Sequence, residues 1–484
     1  MTIIQYPYSF KQFNEKILVV NAVGEHVFLS HQDFDYLVSE NYDCLSKEGK
    51  LKLFSHNFIS DINDKELVEN LLAIKLRSRK DFLRYFTRLH MIVLTLRCNC
   101  HCDYCHASSK DLMAKNLDMT VETAKHVLDV IFQSPSPVLK IEFQGGEPTL
   151  NWQVLQYIVL SGEKKAVIAG KEIGFVVCTN LMSLTDSQVE FCKKHNIDIS
   201  SSCDGPKFYH DLHRHALDKT SSYEAFLLNL KRIRKYKGKN SVNALLTITK
   251  DNLNHLPEII DHYVALGFNS IFLRSLNPYG YAKKNLDELG YSFTDFVKYY
   301  KLALEYIFQL NESGIFFMES YASLIFQRIM TPFSTGFVDL QSPTGAGISG
   351  AIYYYNGDVY PSDEGRMLAT MGDGRFKLGN VYDSNFRVIF SSNVMQDLVK
   401  SSIVESMPMC TTCVYNPYCG ADPVRYYNES GDFLGHRYSS GFCQRNMGII
   451  QILMDIIKEN NPHKMEILWS WVRRRPLEDC QCGQ

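Results

Sequence analysis

Two groups of cysteines have the spacing of metal or iron–sulfur ligands. The stretch CNCHCDYC, Cys98 to Cys105, places four within eight residues. CTTCVYNPYC supplies Cys410, Cys413 and Cys419, and Cys443 follows at a distance. Metal and cluster sites commonly take three or four thiolates, so each group is rich enough for one site. Of the 14 cysteines, Cys44, Cys178, Cys192 and Cys203 are single, and Cys480 and Cys482 form a C-x-C pair in an acidic tail. The single ones, Cys44 apart, read as small buried residues, and the tail pair reads as a disordered terminus. The start, MTIIQYPYSFKQF, has no apolar segment with a small-residue cleavage site. Clustered cysteines without a secretion signal favour ligation over disulfides, so the chain is expected to be cytoplasmic.

These groups need elements to position them. The chain of 484 residues is 45% hydrophobic and 12% aromatic, enough for a large core. Its net charge of −2 argues against nucleic acid or an anionic membrane as partner. No run approaches the roughly 18 apolar residues of a membrane helix. Residues 1–88 open with strand-like runs at Ile17–Asn21 and His26–Ser30 around the turn Ala22–Glu25, then a helix with Ser30 as N-cap and a second at Lys65–Leu76. Residues 89–312 alternate apolar runs with amphipathic ones. The predicted strands are 91–96, 139–143, 174–179, 197–202, 243–249 and 270–274. Six strand–helix units in series predict an α/β fold with a parallel sheet and right-handed crossovers, short of the eight units of a closed barrel. Residues 313–484 carry a hairpin-like segment, GAIYYYNGDVYPSDEG, then the second cysteine group and a helix over RNMGIIQILMDII. The run Tyr353–Tyr355 reads as strand packing.

Each chemical motif follows a predicted strand: the first cysteines, then FQGGEPTL (143–150), then Thr179-Asn180, then SSSCDGP (200–206). In such folds chemistry sits at the carboxyl ends of the strands. Cys98, Cys102 and Cys105, spaced C-x3-C-x2-C, resemble the signature of radical S-adenosylmethionine enzymes, and GGEP on the next strand strengthens the likeness. That resemblance implies a partial (β/α)6 barrel of the TIM type. It implies a [4Fe–4S] cluster on those three thiolates, with one iron left open for S-adenosylmethionine. Cys100 becomes a non-ligand. By the same likeness Glu147, with Gln144, Gly145 and Gly146 nearby, would accept from the methionine amino group. Tyr104 would lie against the adenine, Asn180 and Ser202 against ribose or carboxylate, and Arg214 would pair with the cofactor carboxylate. His101 and His106 match no role and read as loop residues.

The second group resembles the SPASM extension of peptide-modifying radical enzymes, with departures. Thr344 or Gly345, Ser362 and Pro423 stand where that pattern has cysteines, and all three belong to one of its two auxiliary clusters. The resemblance therefore implies a single auxiliary [4Fe–4S] cluster, on Cys410, Cys413, Cys419 and Cys443, fully coordinated and suited to electron transfer. A four-thiolate structural zinc is the alternative.

LHMIVLTLRCNCHCDYCHAS, SPSPVLKIEFQGGEPTLN, GFNSIFLRSLNPYG, TPFSTGFVDLQSPTGAG and PYCGADPVRYY look like the B-type His-Xaa-Ser system radical maturases, over about residues 1–457. This implies hydrogen abstraction from a ribosomally made precursor peptide by a 5′-deoxyadenosyl radical, then cross-linking or oxidation. It also implies a partner maturase and an electron donor such as flavodoxin or ferredoxin. ILVVNAVGEHVFLSHQDFDYLV is similar to small winged-helix modules that bind leader peptides, an N-terminal cap being the alternative. Two other functions stand beside this one: a maturase oxidising Cys or Ser of a sulfatase-like target, with Asp204 or Asp339 as acid–base candidates, and a zinc-stabilised peptide-binding scaffold. The expected divisions are 1–88, 89–312 and 313–484.

Overall fold

The structure is a computed structural model that describes residues 2–477. Cys480 and Cys482 lie outside the described residues.

Six consecutive strands build the central sheet. They are β1 (Leu89–Thr95), β2 (Val138–Gly145), β3 (Glu172–Cys178), β4 (Asp198–Ser202), β5 (Val242–Thr247) and β6 (Leu273–Arg274). Every neighbouring pair is parallel and lies in chain order, as serial strand–helix units require. The sixth strand is shorter than its apolar pattern suggests. Ser270–Ile271 instead pairs with Met318–Glu319, so the run is split at Phe272 between two partners.

The crossover helices show why they form. In Val121–Ile131, Thr120 caps the start by accepting from the Thr123 N–H at 3.0 Å. Ala124, Val127, Leu128 and Ile131 then fall on one stripe and are buried against the sheet. Trp152–Ala169 stops at Gly170, whose φ of 62° is left-handed. Asp186–Lys194 begins with a reciprocal capping box between Thr185 and Gln188.

The third region extends the same sheet. β7 (Gly350–Tyr353) lies parallel to β1. β8 (Asp358–Tyr360) and β9 (Gly379–Asn380) follow it, each antiparallel to its neighbour. The sheet therefore has nine strands, ordered β6-β5-β4-β3-β2-β1-β7-β8-β9. The hairpin reading of this segment holds, but its docking beside β1 was not foreseen. Tyr353 is fully buried in β7 and pairs its hydroxyl with His90 Nδ1 at 3.1 Å.

The N-terminal region has an antiparallel sheet of Tyr8–Phe13, Lys16–Asn21 and His26–Leu29, packed with helices His31–Val38 and Lys47–Ser55 around its own small core. Ser30 caps the first helix through the Asp33 N–H at 3.0 Å. The helix Lys65–Arg79 leads to β1. Among the described residues no helix is long and apolar enough to cross a membrane.

Candidate active site

The loop after β1 carries the first cysteines. Its backbone is fixed on both sides. The short strand Cys100–Cys102 pairs antiparallel with Arg214–Ala216, and the Cys98 N–H donates to Lys110 O at 2.9 Å. The turn closes with the Cys105 N–H on Cys102 O at 3.0 Å.

The glycines of GGEP are explained by close approach to this loop. A Cβ on Gly145, where φ is +140°, would lie 2.1 Å from Thr95 O, and one on Gly146 would lie 2.2 Å from Arg97 O. In their place the Gly146 N–H donates to Thr95 O and the Glu147 N–H to Arg97 O, both at 2.8 Å. The motif after β2 is thus stitched to the start of the cysteine loop.

A cavity of about 600 Å³ opens at these strand ends. Cys98, Cys102, Cys105, Tyr104, Gln144, Gly145, Gly146, Asn180, Ser202 and Arg214 all line it. Its volume falls within the usual range for small-molecule sites.

Glu147 is placed differently from the expectation. Its carboxylate is buried and does not line the cavity. It accepts from Thr149 Oγ1 at 2.6 Å, Thr179 Oγ1 at 2.8 Å and the Asn180 N–H at 2.8 Å. Burial raises its pKa, and these donors oppose the rise. Its observed role is to tie the loop after β2 to the end of β3. Asn180, so held, turns its amide toward Asn99 Oδ1 at 2.7 Å and Cys98 Sγ at 3.8 Å.

Arg214 and Tyr104 meet through Asp204. Arg214 Nε donates to Asp204 Oδ2 at 2.7 Å, and the Tyr104 hydroxyl bonds the same oxygen. Asp204 Oδ1 accepts from the Thr247 N–H at 3.0 Å. Burial alone would push the Asp204 carboxyl up, but the Arg214 guanidinium holds it below its usual range. Asp204 is therefore a buried, paired anchor and not the free acid–base group considered above; Asp339 does line the cavity. The guanidinium sits 5.2 Å over the Tyr104 ring and 3.9 Å from Cys102 Sγ.

The four thiols differ. Cys100 is buried, 3.7 Å from Cys102 Sγ. Its hydrogen bond to Cys102, with Arg214 assisting against burial, lowers the Cys102 pKa. Burial raises those of Cys98 and Cys105.

At the second group, turns from Met407 to Cys419 gather three thiols, and Cys443 stands in the first turn of the helix Gly441–Glu459. Arg437 Nη1 lies 3.3 Å from Cys410 Sγ and Asn446 Nδ2 lies 3.9 Å from Cys419 Sγ. Burial, then Cys419, Cys413 and Cys410 in turn, pushes Cys443 up to about 12. Crowded, buried thiols are stabilised as thiolates when positive charge is supplied among them, so both donor sets fit a bound iron–sulfur cluster. Among the described residues no three Cys, His, Asp or Glu side chains converge on a single ion position. The ligands of a four-iron cluster bind separate irons and need no such convergence.

Several lining residues were missed in the sequence. Cys178 faces the cavity from the end of β3, beside Glu142. His106 lines it too, with its pKa lowered to about 4 by burial and then Arg274. From the third region come Asp363, Glu364, Arg366 and Asp422. The run SDEGR after a strand was the one available signal, since Ser362 caps a helix there.

Residues 92–263 match the Radical SAM superfamily. That stretch runs from β1 through β5 and includes the first cysteine loop, and the chain is an enzyme. It is 22% identical over 357 residues to a cysteine-type anaerobic sulfatase-maturating enzyme of Clostridium novyi, covering 72% of this chain and 90% of that one. An uncharacterized protein of Methanocaldococcus jannaschii is 30% identical over 191 residues, 39% of this chain, and the chain spans 63% of its length. Among solved structures, native anSMEcpe with bound AdoMet and Kp18Cys peptide superposes with a TM-score of 0.64 at 18% identity, over 77% of this chain and 98% of that one. Streptococcus suis SuiB bound to precursor peptide SuiA gives 0.51 at 16% identity, over 91% and 100%. These likenesses establish the α/β radical SAM fold with its mostly parallel nine-stranded sheet.

Proposed function

We propose that the protein is a radical S-adenosylmethionine enzyme that modifies a ribosomally made peptide, in a maturation system of the His-Xaa-Ser type. The observation that carries this reading is one cavity lined both by Cys98, Cys102 and Cys105 and by residues of the third region, among them Asp339, Asp363 and Asp422. When bound, a [4Fe–4S] cluster on those thiols and S-adenosylmethionine supply a carbon radical that takes hydrogen from the substrate. Arg214 and Asn180 orient polar groups beside the cysteines, and Tyr104 presents a ring there. The apolar lining, including Leu245, Phe272 and Phe337, limits water around reactive species.

Cys410, Cys413, Cys419 and Cys443 are assigned to one auxiliary cluster, which would take the surplus electron, while a flavodoxin or ferredoxin is the electron donor to the enzyme. Residues 1–88 are assigned to leader recognition or to capping, 89–312 to the radical core and 313–484 to the auxiliary extension. A leader peptide would add to an exposed edge of the N-terminal sheet, strand against strand. SuiB bound to its precursor peptide supports a peptide partner. A partner maturase and a cytoplasmic location complete the proposal.

A second reading, oxidation of a Cys or Ser in a sulfatase-like target, is favoured by the cavity carboxylates, which can take the proton such an oxidation releases. The relative of that name supports it. Iron and sulfide content of anaerobically reconstituted protein tests the shared core. Two clusters predict about eight irons per chain. Zinc without iron would leave only the peptide-binding scaffold.

A further inference from the structure

Five arginines are buried among the described residues: Arg79, Arg328, Arg366, Arg425 and Arg437. Two of them hold a carboxylate, Arg366 that of Asp363 and Arg425 that of Glu429. The other three have no carboxylate among their hydrogen-bond partners, and all three meet the segment that bears the second cysteines. A buried charge without a counter-charge is costly, so three such cations in one place call for an anion there.

Arg437 precedes the helix Gly441–Glu459 and is 4% exposed. Its Nη1 lies 3.3 Å from Cys410 Sγ, its Nη2 donates to Ser401 O at 2.9 Å and its Nε to Leu434 O at 3.3 Å. The guanidinium stands 5.0 Å over the Tyr426 ring. Arg328, in the helix Ser320–Met330, donates from Nε to Tyr418 O at 3.0 Å and from Nη2 to Cys419 O at 3.3 Å. Arg79 ends the helix Lys65–Arg79 and reaches Pro417 O at 3.3 Å. Consecutive carbonyls from Pro417 to Cys419 thus face two guanidinium groups. Two carboxylates that act on these arginines, Glu405 on Arg328 and Glu25 on Arg79, are already paired with Lys80 and Lys75.

The first site is arranged differently. Arg214 lies 3.9 Å from Cys102 Sγ, but Asp204 neutralises it at 2.7 Å. Its guanidinium therefore brings that site no net charge. At the second site backbone carbonyls orient the arginines without cancelling their charge. A four-iron cluster on four thiolates is a dianion, and one added electron makes it a trianion. Its potential depends on net charge and on hydrogen bonds to sulfur, and cations buried beside it favour the reduced form.

We propose that Arg79, Arg328 and Arg437 are the counter-charge of the second cysteine site, and that they raise the reduction potential of the cluster it would hold. This rests on the reading of that site as an iron–sulfur site. The three are positioning residues, acting on the electron through the thiolates and the loop. Arg437, against a sulfur, contributes most, and Arg328, against the carbonyl of Cys419, comes next. Arg79 is supplied by the N-terminal region, so that region carries part of the charge that the second site needs.

The full chain with Cys98, Cys102 and Cys105 changed to Ala, reconstituted anaerobically, isolates the second site. Its midpoint potential is read by dithionite titration followed by electron paramagnetic resonance. In this parent, Arg437→Met should shift the one-electron equilibrium at least tenfold toward the oxidised form, a potential lower by about 59 mV or more. Arg437→Lys keeps the charge and should shift it less than half as far. Arg328→Met should shift it severalfold in the same direction, and it decides the matter if Arg437→Met does not hold iron. If both Met variants lose iron, retention in Arg437→Lys supports the counter-charge and loss there too overturns it. An unmoved or raised potential in the deciding Met variant, or equal shifts in Arg437→Met and Arg437→Lys, with about four irons bound, would overturn the proposal alone. Zinc in place of iron in the parent would overturn the cluster reading and the proposal with it.

Discussion

At the scale of single residues, Asp204 and Asp422, two acids near the cavity, behave oppositely. Asp204 is paired with Arg214, and both are nearly inaccessible. Replacing it with Asn leaves the guanidinium buried without its counter-ion. We expect Asp204→Asn to lower unfolding free energy by about 3–5 kcal/mol, read by urea denaturation. Asp339→Asn, which breaks no ion pair, should lower it little, and equal losses in the two variants would contradict the pairing. Asp422 gives a pH dependence of opposite sign to that of a paired acid. Burial, then repulsion by Glu364 and Asp339, raises its folded pKa to about 7, above the unfolded value, which is about 3.9. The folded chain then holds this proton more tightly, so the residue's contribution falls as pH rises through that window and stays low above it. Melting temperature should therefore drop from pH 5 to pH 7.5 more steeply in wild type than in Asp422→Asn; parallel slopes would refute the repulsion.

At the scale of elements, the loop after β1 works because the GG turn after β2 lets it pass. Gly146→Ala puts a Cβ against a backbone carbonyl that has no room to retreat, because Arg97 O also accepts from Glu147. Reconstituted protein should lose the iron of the first site, about four of about eight per chain, measured colorimetrically. Full iron in this variant would mean that the loop does not depend on the close approach. The same elements show what was legible beforehand. MIVLTL, LKIEF and GFVVCT are apolar runs between capped helices, and short-range pattern is enough to name them as strands. The split at Phe272 was invisible, because whether Ser270–Ile271 pairs with Met318–Glu319 is decided by a partner far along the chain. The docking of Gly350–Tyr353 on β1 was hidden for the same reason. The edge strand Tyr8–Phe13 was missed since YSFKQF mixes lysine and glutamine with aromatics, as a half-exposed strand does. Motif residues were found by type and spacing. The direction of a side chain was not, which is why Glu147 was expected against the cofactor, Cys178 was read as a small buried residue and His106 as a loop residue without a role.

At the scale of the whole molecule, the N-terminal region is latched to the segment bearing the second cysteines. Arg79 Nη1 donates to Arg328 O at 3.0 Å and to Pro417 O at 3.3 Å, and the Tyr418 hydroxyl donates to Gly24 O at 2.9 Å. Lys11 reaches Gln451 Oε1 at 3.1 Å. The region read as leader-binding therefore abuts the loop that carries Cys413 and Cys419, and both lie on the third region that walls the cavity. Such continuity is what a peptide held at one end and altered at the other would need. The most direct test of the central claim is to incubate anaerobic, dithionite-reduced protein with S-adenosylmethionine and quantify 5′-deoxyadenosine by chromatography, beside a variant with Cys98, Cys102 and Cys105 all changed to Ala. The account predicts product from wild type and none above background from the variant. No product from iron-replete wild type, or equal product from both, would contradict it.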